Sequence, residues 1–200
     1  MITNHTVESL RAFEESVAAD FNAARIRSPI HLAGGNEQAL LDIFADVREQ
    51  DWCAVSWRSH YHCLLKGVPP EELRAAILKG HSIALNFPAR RVISSAIVGG
   101  VLPIALGIAW AIKRAGKDER CWAFLGDMTS RTGIYHECWN YARGHCLPIT
   151  FVVEDNGLSV CTDTRKTWDD GCEGSDARLT RRYEYVLPFP HSGAGKRVDF

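Results

Sequence analysis

Residues 121–127 read Cys-Trp-Ala-Phe-Leu-Gly-Asp, and residues 147–157 read Leu-Pro-Ile-Thr-Phe-Val-Val-Glu-Asp-Asn-Gly. Each contains a short uncharged apolar run, of the kind that forms a strand covered on both faces. Each run stops at a carboxylate beside a glycine or asparagine. Between them, residues 133–143 carry a helical pattern. Strand, helix and strand in this order predict an α/β fold with a mostly parallel sheet and helices on both faces. Ligands of such sheets bind outside the carboxyl ends of the strands, and both Gly126-Asp127 and Asp155-Asn156-Gly157 fall there.

Working outward, Pro103 to Ala115 predicts a buried helix closed by Gly116, and Trp52 to Trp57 a compact strand. Ser59 to Lys66 and Pro69 to Leu78 predict short helices, the second begun by prolines that the first turn tolerates. In residues 3–25 the apolar positions Val7, Leu10, Phe13 and Val17 follow helical spacing. Asn36 is placed to cap a helix from Glu37 to Val47. Residues 79–95 read as irregular, and residues 161–182 are polar and weakly patterned. The chain divides into one domain over 1–182 and an extension over 183–200, a surface tail or a contact for a partner.

A chain of 200 residues suffices for one domain with a substantial core. Its 23 basic and 24 acidic residues leave a formal charge of −1, with no basic block that would mark a nucleic-acid footprint. An anionic ligand is therefore expected at a local site. Seven cysteines without a C-x-x-C pair, and no signal-peptide pattern, point to the cytoplasm. Cys138 and Cys146 read as buried apolar residues, and Trp122, Trp139 and Trp168 as packing anchors. Val92 to Ile112 lacks charge and meets the length of a membrane span. Ser94, Ser95, Gly99, Gly100, Pro103 and Gly107 interrupt it, which favours a loop followed by a buried helix and no membrane contact.

A hard cation such as Mg²⁺ takes oxygen ligands and is usually bound together with phosphates. The Asp127 carboxylate, the Asn156 amide oxygen and a nearby backbone carbonyl, most simply that of Leu158, could supply three. The plainer alternative is an aspartate capping a helix and an Asn-Gly turn. A zinc site from His60, His62 and Cys63 with Cys53 is a weaker alternative, because the stretch lacks a second spaced ligand pair.

The ordered string Phe124-Leu125-Gly126-Asp127, Gly133, His136-Glu137-Cys138-Trp139-Asn140, Leu147-Pro148-Ile149 and Val153-Glu154-Asp155-Asn156-Gly157-Leu158 resembles the alpha subunit of the two-component 2-oxoacid dehydrogenases, the E1 component. Upstream, Gly35-Asn36-Glu37, Trp57-Arg58-Ser59-His60, Lys66-Gly67-Val68 and Ile97-Val98-Gly99-Gly100 continue the resemblance, which runs from about residue 20 to 162. It implies a thiamine-diphosphate-binding fold that takes thiamine diphosphate and Mg²⁺. Asp127, Asn156 and the Leu158 carbonyl are implied as metal ligands, and Gly126, Met128 and Thr129 as cofactor contacts beside them. Arg58 is implied to contact the diphosphate, with Trp57 in place of the family's aromatic residue. The backbone around Ala96 and Val98 is implied to hold the aminopyrimidine, and His60 to touch phosphate or substrate. The sequence departs from the family at Met128, which replaces the last glycine of Gly-Asp-Gly, and in a compressed segment between Lys79 and Val98. Family members also continue well past the length of this sequence.

The resemblance further implies an enzyme that decarboxylates a 2-oxo acid and transfers the resulting acyl or hydroxyalkyl unit. Thiamine chemistry requires an acid that activates the aminopyrimidine. In the family this is a glutamate of the beta subunit, and Glu37, Glu137 and Glu154 belong to different local motifs here. A half-site completed by a beta-type partner, in an α₂β₂ assembly, is therefore expected. The alternatives are ketol transfer from a ketose donor by a split transketolase-like pair, and a non-catalytic homologue that stabilises its partner.

Overall fold

The computed structural model describes residues 5–167 and 179–196. Trp168, Cys172 and the last four positions of the expected extension lie outside the described residues. Strands β1 (Trp52–Val55), β2 (Asn86–Phe87), β3 (Val92–Ser94), β4 (Cys121–Gly126), β5 (Ile149–Asp155) and β8 (Thr180–Glu184) form one sheet in the order β2-β3-β1-β4-β5-β8. Only the β2–β3 pair is antiparallel. The short strands β6 (Leu158–Ser159) and β7 (Thr162–Asp163) make a separate hairpin.

Both faces of the sheet are covered, as the uncharged strands require. On β4, Trp122 and Phe124 join the core formed with α1 (Val7–Asn22), α2 (Glu37–Phe44), α3 (His60–Leu65) and α4 (Pro70–Ala76). Cys121, Ala123 and Leu125 face the other way, against α5 (Val101–Arg114) and α6 (Gly133–Gly144). A fully buried Leu or Phe contributes about 1.5–3 kcal/mol by burial, so this alternation on the central strand fixes which side each helix layer takes. A last short helix, α7 (Thr164–Thr167), follows the hairpin. Among the described residues no helix is long and apolar enough to cross a membrane. The uncharged stretch 92–112 is instead the strand β3, a loop and most of α5. Pro103 sits in the first turn of α5, where its missing N–H has no intrahelical acceptor.

Four expectations need correction. The stretch 79–95 contains β3, because Val92 is fully buried and pairs with Cys53 beside β1. Asn36 precedes α2 but makes no cap bond; its Nδ2 donates to the Tyr183 hydroxyl at 3.0 Å, a tertiary partner that local pattern cannot reveal. Cys146 is exposed, at a positive φ of 46° past the end of α6, whereas Cys138 is buried as expected. The proposed division between 182 and 183 falls inside β8, which pairs with β5 from Phe151↔Thr180 to Asp155↔Glu184.

Beyond β8 the described residues stay on the domain. Residues 185–194 form a strap that crosses to the segment before α2. The Tyr185 N–H donates to the Asp155 carbonyl, and the Gly193 N–H to that of Ile30 at 3.0 Å. His31 Nδ1 donates to the His191 carbonyl at 2.6 Å. The strap passes so close to Gly35 that an added Cβ would lie 2.0 Å from the Val186 oxygen, at a φ of +81°. That contact explains the glycine. At the other end of the domain, the buried Lys66 ammonium donates to the carbonyls of Arg48, Glu49 and Asp51 at 3.1, 2.9 and 2.7 Å, satisfying all three of its protons.

Gly35→Ala is expected to lower unfolding free energy by about 2–4 kcal/mol through overpacking and backbone strain, read by urea denaturation. An unchanged midpoint would mean that the strap is not docked. The strap also predicts a pH effect. Burial, with Arg58 nearby, lowers the His31 pKa from its ordinary 6.5 to about 4 despite the bond to His191. Between those values the unfolded chain binds the proton that the folded chain refuses, so stability falls as pH drops from about 6.5 to 4. His31→Asn should reduce this slope in denaturation curves taken across that window.

Candidate functional site

The parallel registers Val55↔Phe124 and Gly126↔Glu154 bring the ends of β1, β4 and β5 to one edge of the sheet. A cleft opens there. It is lined by Trp57 and Arg58 beyond β1, by Gly126, Asp127, Met128 and Thr129 at the end of β4, and by Glu154, Asn156 and Leu158 at the end of β5. Val98 joins from the loop before α5, and Tyr185 and His191 from the strap. Of the predicted site residues, the structure therefore brings together Trp57, Arg58, Val98, Gly126, Asp127, Met128, Thr129, Asn156 and Leu158. Ala96 is exposed on the same loop but does not line the cleft.

His60 is not in the cleft, contrary to the expectation that it touches phosphate or substrate. Its ring is fully buried beneath α3. Nδ1 lies 2.8 Å from Glu14 Oε1 and Nε2 lies 2.9 Å from Ser82 Oγ, so both nitrogens are satisfied internally. Glu14 also accepts the Ala33 N–H at 2.6 Å, which ties α1 and α3 to the segment before α2. His62 is buried between Phe124 and Phe44, with ring centroids at 4.4 and 6.0 Å. Among the described residues no group of three or more His, Cys, Asp or Glu could hold a metal, and the zinc alternative fails on these placements.

An ion bound by mixed oxygen ligands is a different case. Asp127 is 5% exposed, and no basic side chain among the described residues pairs with it. Its Oδ2 accepts the Thr164 hydroxyl at 2.6 Å. Burial pushes its pKa above the ordinary carboxylate value; Thr164 pulls it back, and the neighbouring Asp155 carboxylate adds to the rise. Burial acts on Asp155 as well, but Arg182 at 2.5 Å and the Gly157 N–H at 2.8 Å outweigh it and hold that carboxylate low. Among the described residues, one acid of the pair thus has a cation and the other lacks one. Beside them, Asn156 Oδ1 accepts the Leu158 N–H at 3.0 Å and keeps a second lone pair. A Cβ at Gly126 or Gly157 would meet nothing within 4 Å, so open space borders both strand ends.

Arg58 supplies the opposite charge. Its Nη1 donates to the Leu32 carbonyl and its Nη2 to the His191 carbonyl, each at 2.9 Å. Burial lowers its pKa, yet it pairs with no carboxylate among the described residues. Met128 takes helical φ and ψ of −64° and −34°, which any L residue adopts. The backbone therefore does not require glycine there, and the loop is not strained by the replacement. Of the three glutamates weighed from sequence, Glu154 lines the cleft and accepts hydrogen bonds from Tyr183 and Asn36. Glu37 is buried on α2 against Tyr61, and Glu137 is exposed on α6.

Sequence reasoning missed Asn36, Tyr185, His191 and Thr164. Asn36 looked like a cap, and the other three lie in stretches without periodicity. The one available signal was the Gly34-Gly35 pair, whose closeness to Pro188 and Val186 marks the seat of the strap.

A family model described as Dehydrogenase E1 component matches residues 5–170. The alpha subunit of acetoin:2,6-dichlorophenolindophenol oxidoreductase from Cupriavidus necator is 32% identical over 166 residues, covering 78% of this chain and 50% of the relative. The alpha subunit of the pyruvate dehydrogenase E1 component from Rickettsia prowazekii is 30% identical over 168 residues, covering 79% and 52%. The chain spans about half the length of these curated relatives. A solved Mycobacterium smegmatis protein described as a thiamin diphosphate-dependent enzyme aligns with a TM-score of 0.44 and 21% identity, over 66% of this chain and 23% of that one. That likeness is too small to add to the argument. The family model, which spans most of the sequence, decides the matter: the chain belongs to the dehydrogenase E1 component family.

Proposed function

We propose that this chain is the alpha-type part of a two-component, thiamine-diphosphate-dependent enzyme that decarboxylates a 2-oxo acid and passes on the acyl or hydroxyalkyl unit. The observation that carries this reading is the cleft in which Asp127, a buried carboxylate with no cation paired to it among the described residues, faces the same space as Arg58, a half-buried cation with no carboxylate paired to it among them. A divalent metal diphosphate complements both at once. The donor set fits Mg²⁺, which prefers oxygen ligands and shares its shell with phosphates.

In this proposal Asp127, the Asn156 amide oxygen and the Leu158 carbonyl hold the metal. Arg58 holds the diphosphate oxygens, where a guanidinium can act as a bidentate donor. Gly126 leaves room for their approach, and Thr129 stands at the same strand end. The loop of Ala96, Ile97 and Val98 presents exposed apolar surface beside the cleft, Ile97 at 71% and Val98 at 55%, suited to the cofactor's ring and to a partner. Bound thiamine diphosphate would supply the electron sink that 2-oxo acid decarboxylation needs.

The acid that activates the cofactor is assigned to a beta-type subunit, because Glu154 is already engaged by Tyr183 and Asn36. An α₂β₂ assembly follows the expectation from sequence, as does a cytoplasmic location, which the six free thiols among the described cysteines support.

The chain reconstituted with its beta-type subunit, thiamine diphosphate and Mg²⁺ should release CO₂ from a 2-oxo acid. Asp127→Ala should lower cofactor affinity by more than about 100-fold, beyond the effect of losing an outer-shell partner. Calorimetry and CO₂ release check these two outcomes. Ketose consumption without CO₂ would favour ketol transfer, and a tight complex that binds no cofactor would favour the partner-stabilising role.

A further inference from the structure

The register of β8 against β5 decides where two tyrosines go. Tyr183 pairs opposite Glu154, and the Tyr185 N–H continues the ladder by donating to the Asp155 carbonyl at 2.9 Å. Residues two apart on a strand share a face, and the two rings lie together with centroids 5.8 Å apart. Tyr183 is used up inside the structure: its hydroxyl donates to Glu154 and accepts from Asn36 Nδ2 at 3.0 Å. Tyr185, one step farther along, lines the cleft beside Asn156.

The hydroxyl of Tyr185 has only half of its bonding fixed. Asn156 Oδ1 accepts the Leu158 N–H at 3.0 Å, which sets the amide with its nitrogen toward Tyr185; turning it over would oppose two donors. The Tyr185 oxygen therefore accepts from Asn156 Nδ2, at 3.4 Å, and its own proton points elsewhere. Among the described residues no acceptor receives that proton. Burial, and next the Glu154 carboxylate, hold the phenol well above its ordinary pKa, so the proton is kept at neutral pH; Arg58 and Asp127 also act on this hydroxyl. A protonated phenol among the charged groups of the cleft is a donor suited to an anionic oxygen.

We propose that the Tyr185 hydroxyl donates to a phosphoryl oxygen of the anion bound in this cleft and is, with Arg58, one of its binding residues. The same oxygen accepts from the Asn156 amide nitrogen, so the amide oxygen is left toward the metal. One side chain thus serves both the metal and the anion. Tyr185 lies outside residues 5–170, which the family model matches, so this donor is supplied by the segment that follows β8. The proposal rests on the reading of the cleft as a metal-diphosphate site.

Inorganic pyrophosphate with Mg²⁺, added to the full chain, tests this donor without the rest of the cofactor. Tyr185→Phe keeps the ring and should bind pyrophosphate at least about tenfold more weakly by calorimetry, the scale of a lost hydrogen bond to a charged group. In crystals of the unaltered chain soaked with the same pair, a phosphoryl oxygen should lie about 2.5–3.0 Å from the Tyr185 hydroxyl. Should the variant fail to fold, that contact decides alone. Equal affinity in Tyr185→Phe, or bound pyrophosphate that leaves the hydroxyl touching Asn156 only, would overturn the proposal and leave the anion site standing. No binding by the unaltered chain at millimolar concentration would remove the metal-diphosphate reading, and the role of Tyr185 with it.

Discussion

The parallel pairing of β4 with β5 is the constraint on which the rest depends. Its register runs from Cys121↔Ile149 to Gly126↔Glu154, so both strands end at one level. Asp127 therefore leaves the sheet beside Asp155 and Asn156, and not one strand-length away. Nothing in the two loops alone would hold an acid and an amide at that spacing. The register is set by side chains buried on both faces: Trp122 and Phe124 in one core, and Ala123, Leu125, Phe151 and Val153 in the other. A slip of one residue would exchange these sets and separate the strand ends.

That geometry creates an electrostatic demand. Buried carboxylates meet at the strand ends; among the described residues Asp155 has a cation in Arg182, Glu154 accepts from Tyr183 and Asn36, and Asp127 has no basic partner. Across the cleft, Arg58 hydrogen-bonds carbonyls and makes no ion pair among the described residues, while Glu154 and Glu14 favour its charge from a distance. Charges held away from water without partners are costly, and sites that tolerate them are characteristic of function. Here the unpaired positive and negative groups face one space, so a ligand carrying both signs relieves both. Lys66 and Asp51 form a contrasting case. They are also buried, but every proton of Lys66 meets a carbonyl and Asp51 is paired with Arg48. Their role is to join the end of α3 to the start of β1.

Much of this was legible in the sequence, for identifiable reasons. β4, β5, α5 and α6 carry strong local signals, in uncharged runs and helical spacing, and the acidic strand ends are visible as residue types. His60 was misread because its motif position says nothing about which way the ring turns. Glu14, 46 positions earlier, captures it. β3 was missed because Val92–Ser94 is too short to show alternation, and it is a strand only because β1 lies beside it. The strap was hidden for a related reason. Residues 185–194 have no period of their own, and their conformation is dictated by Gly34, Gly35 and Arg58, far earlier in the chain. Local chemistry announces elements with an internal pattern, whereas segments defined by their seat require the tertiary structure.

The most direct measurement is anomalous diffraction from crystals of the chain grown with thiamine diphosphate and Mn²⁺ in place of Mg²⁺. A single metal peak is expected within coordination distance of the Asp127 carboxylate, the Asn156 amide oxygen and the Leu158 carbonyl, with diphosphate density beside Arg58. Diphosphate bound elsewhere, or bound in the cleft with the metal away from Asp127 and Asn156, would contradict the assignment of this cleft.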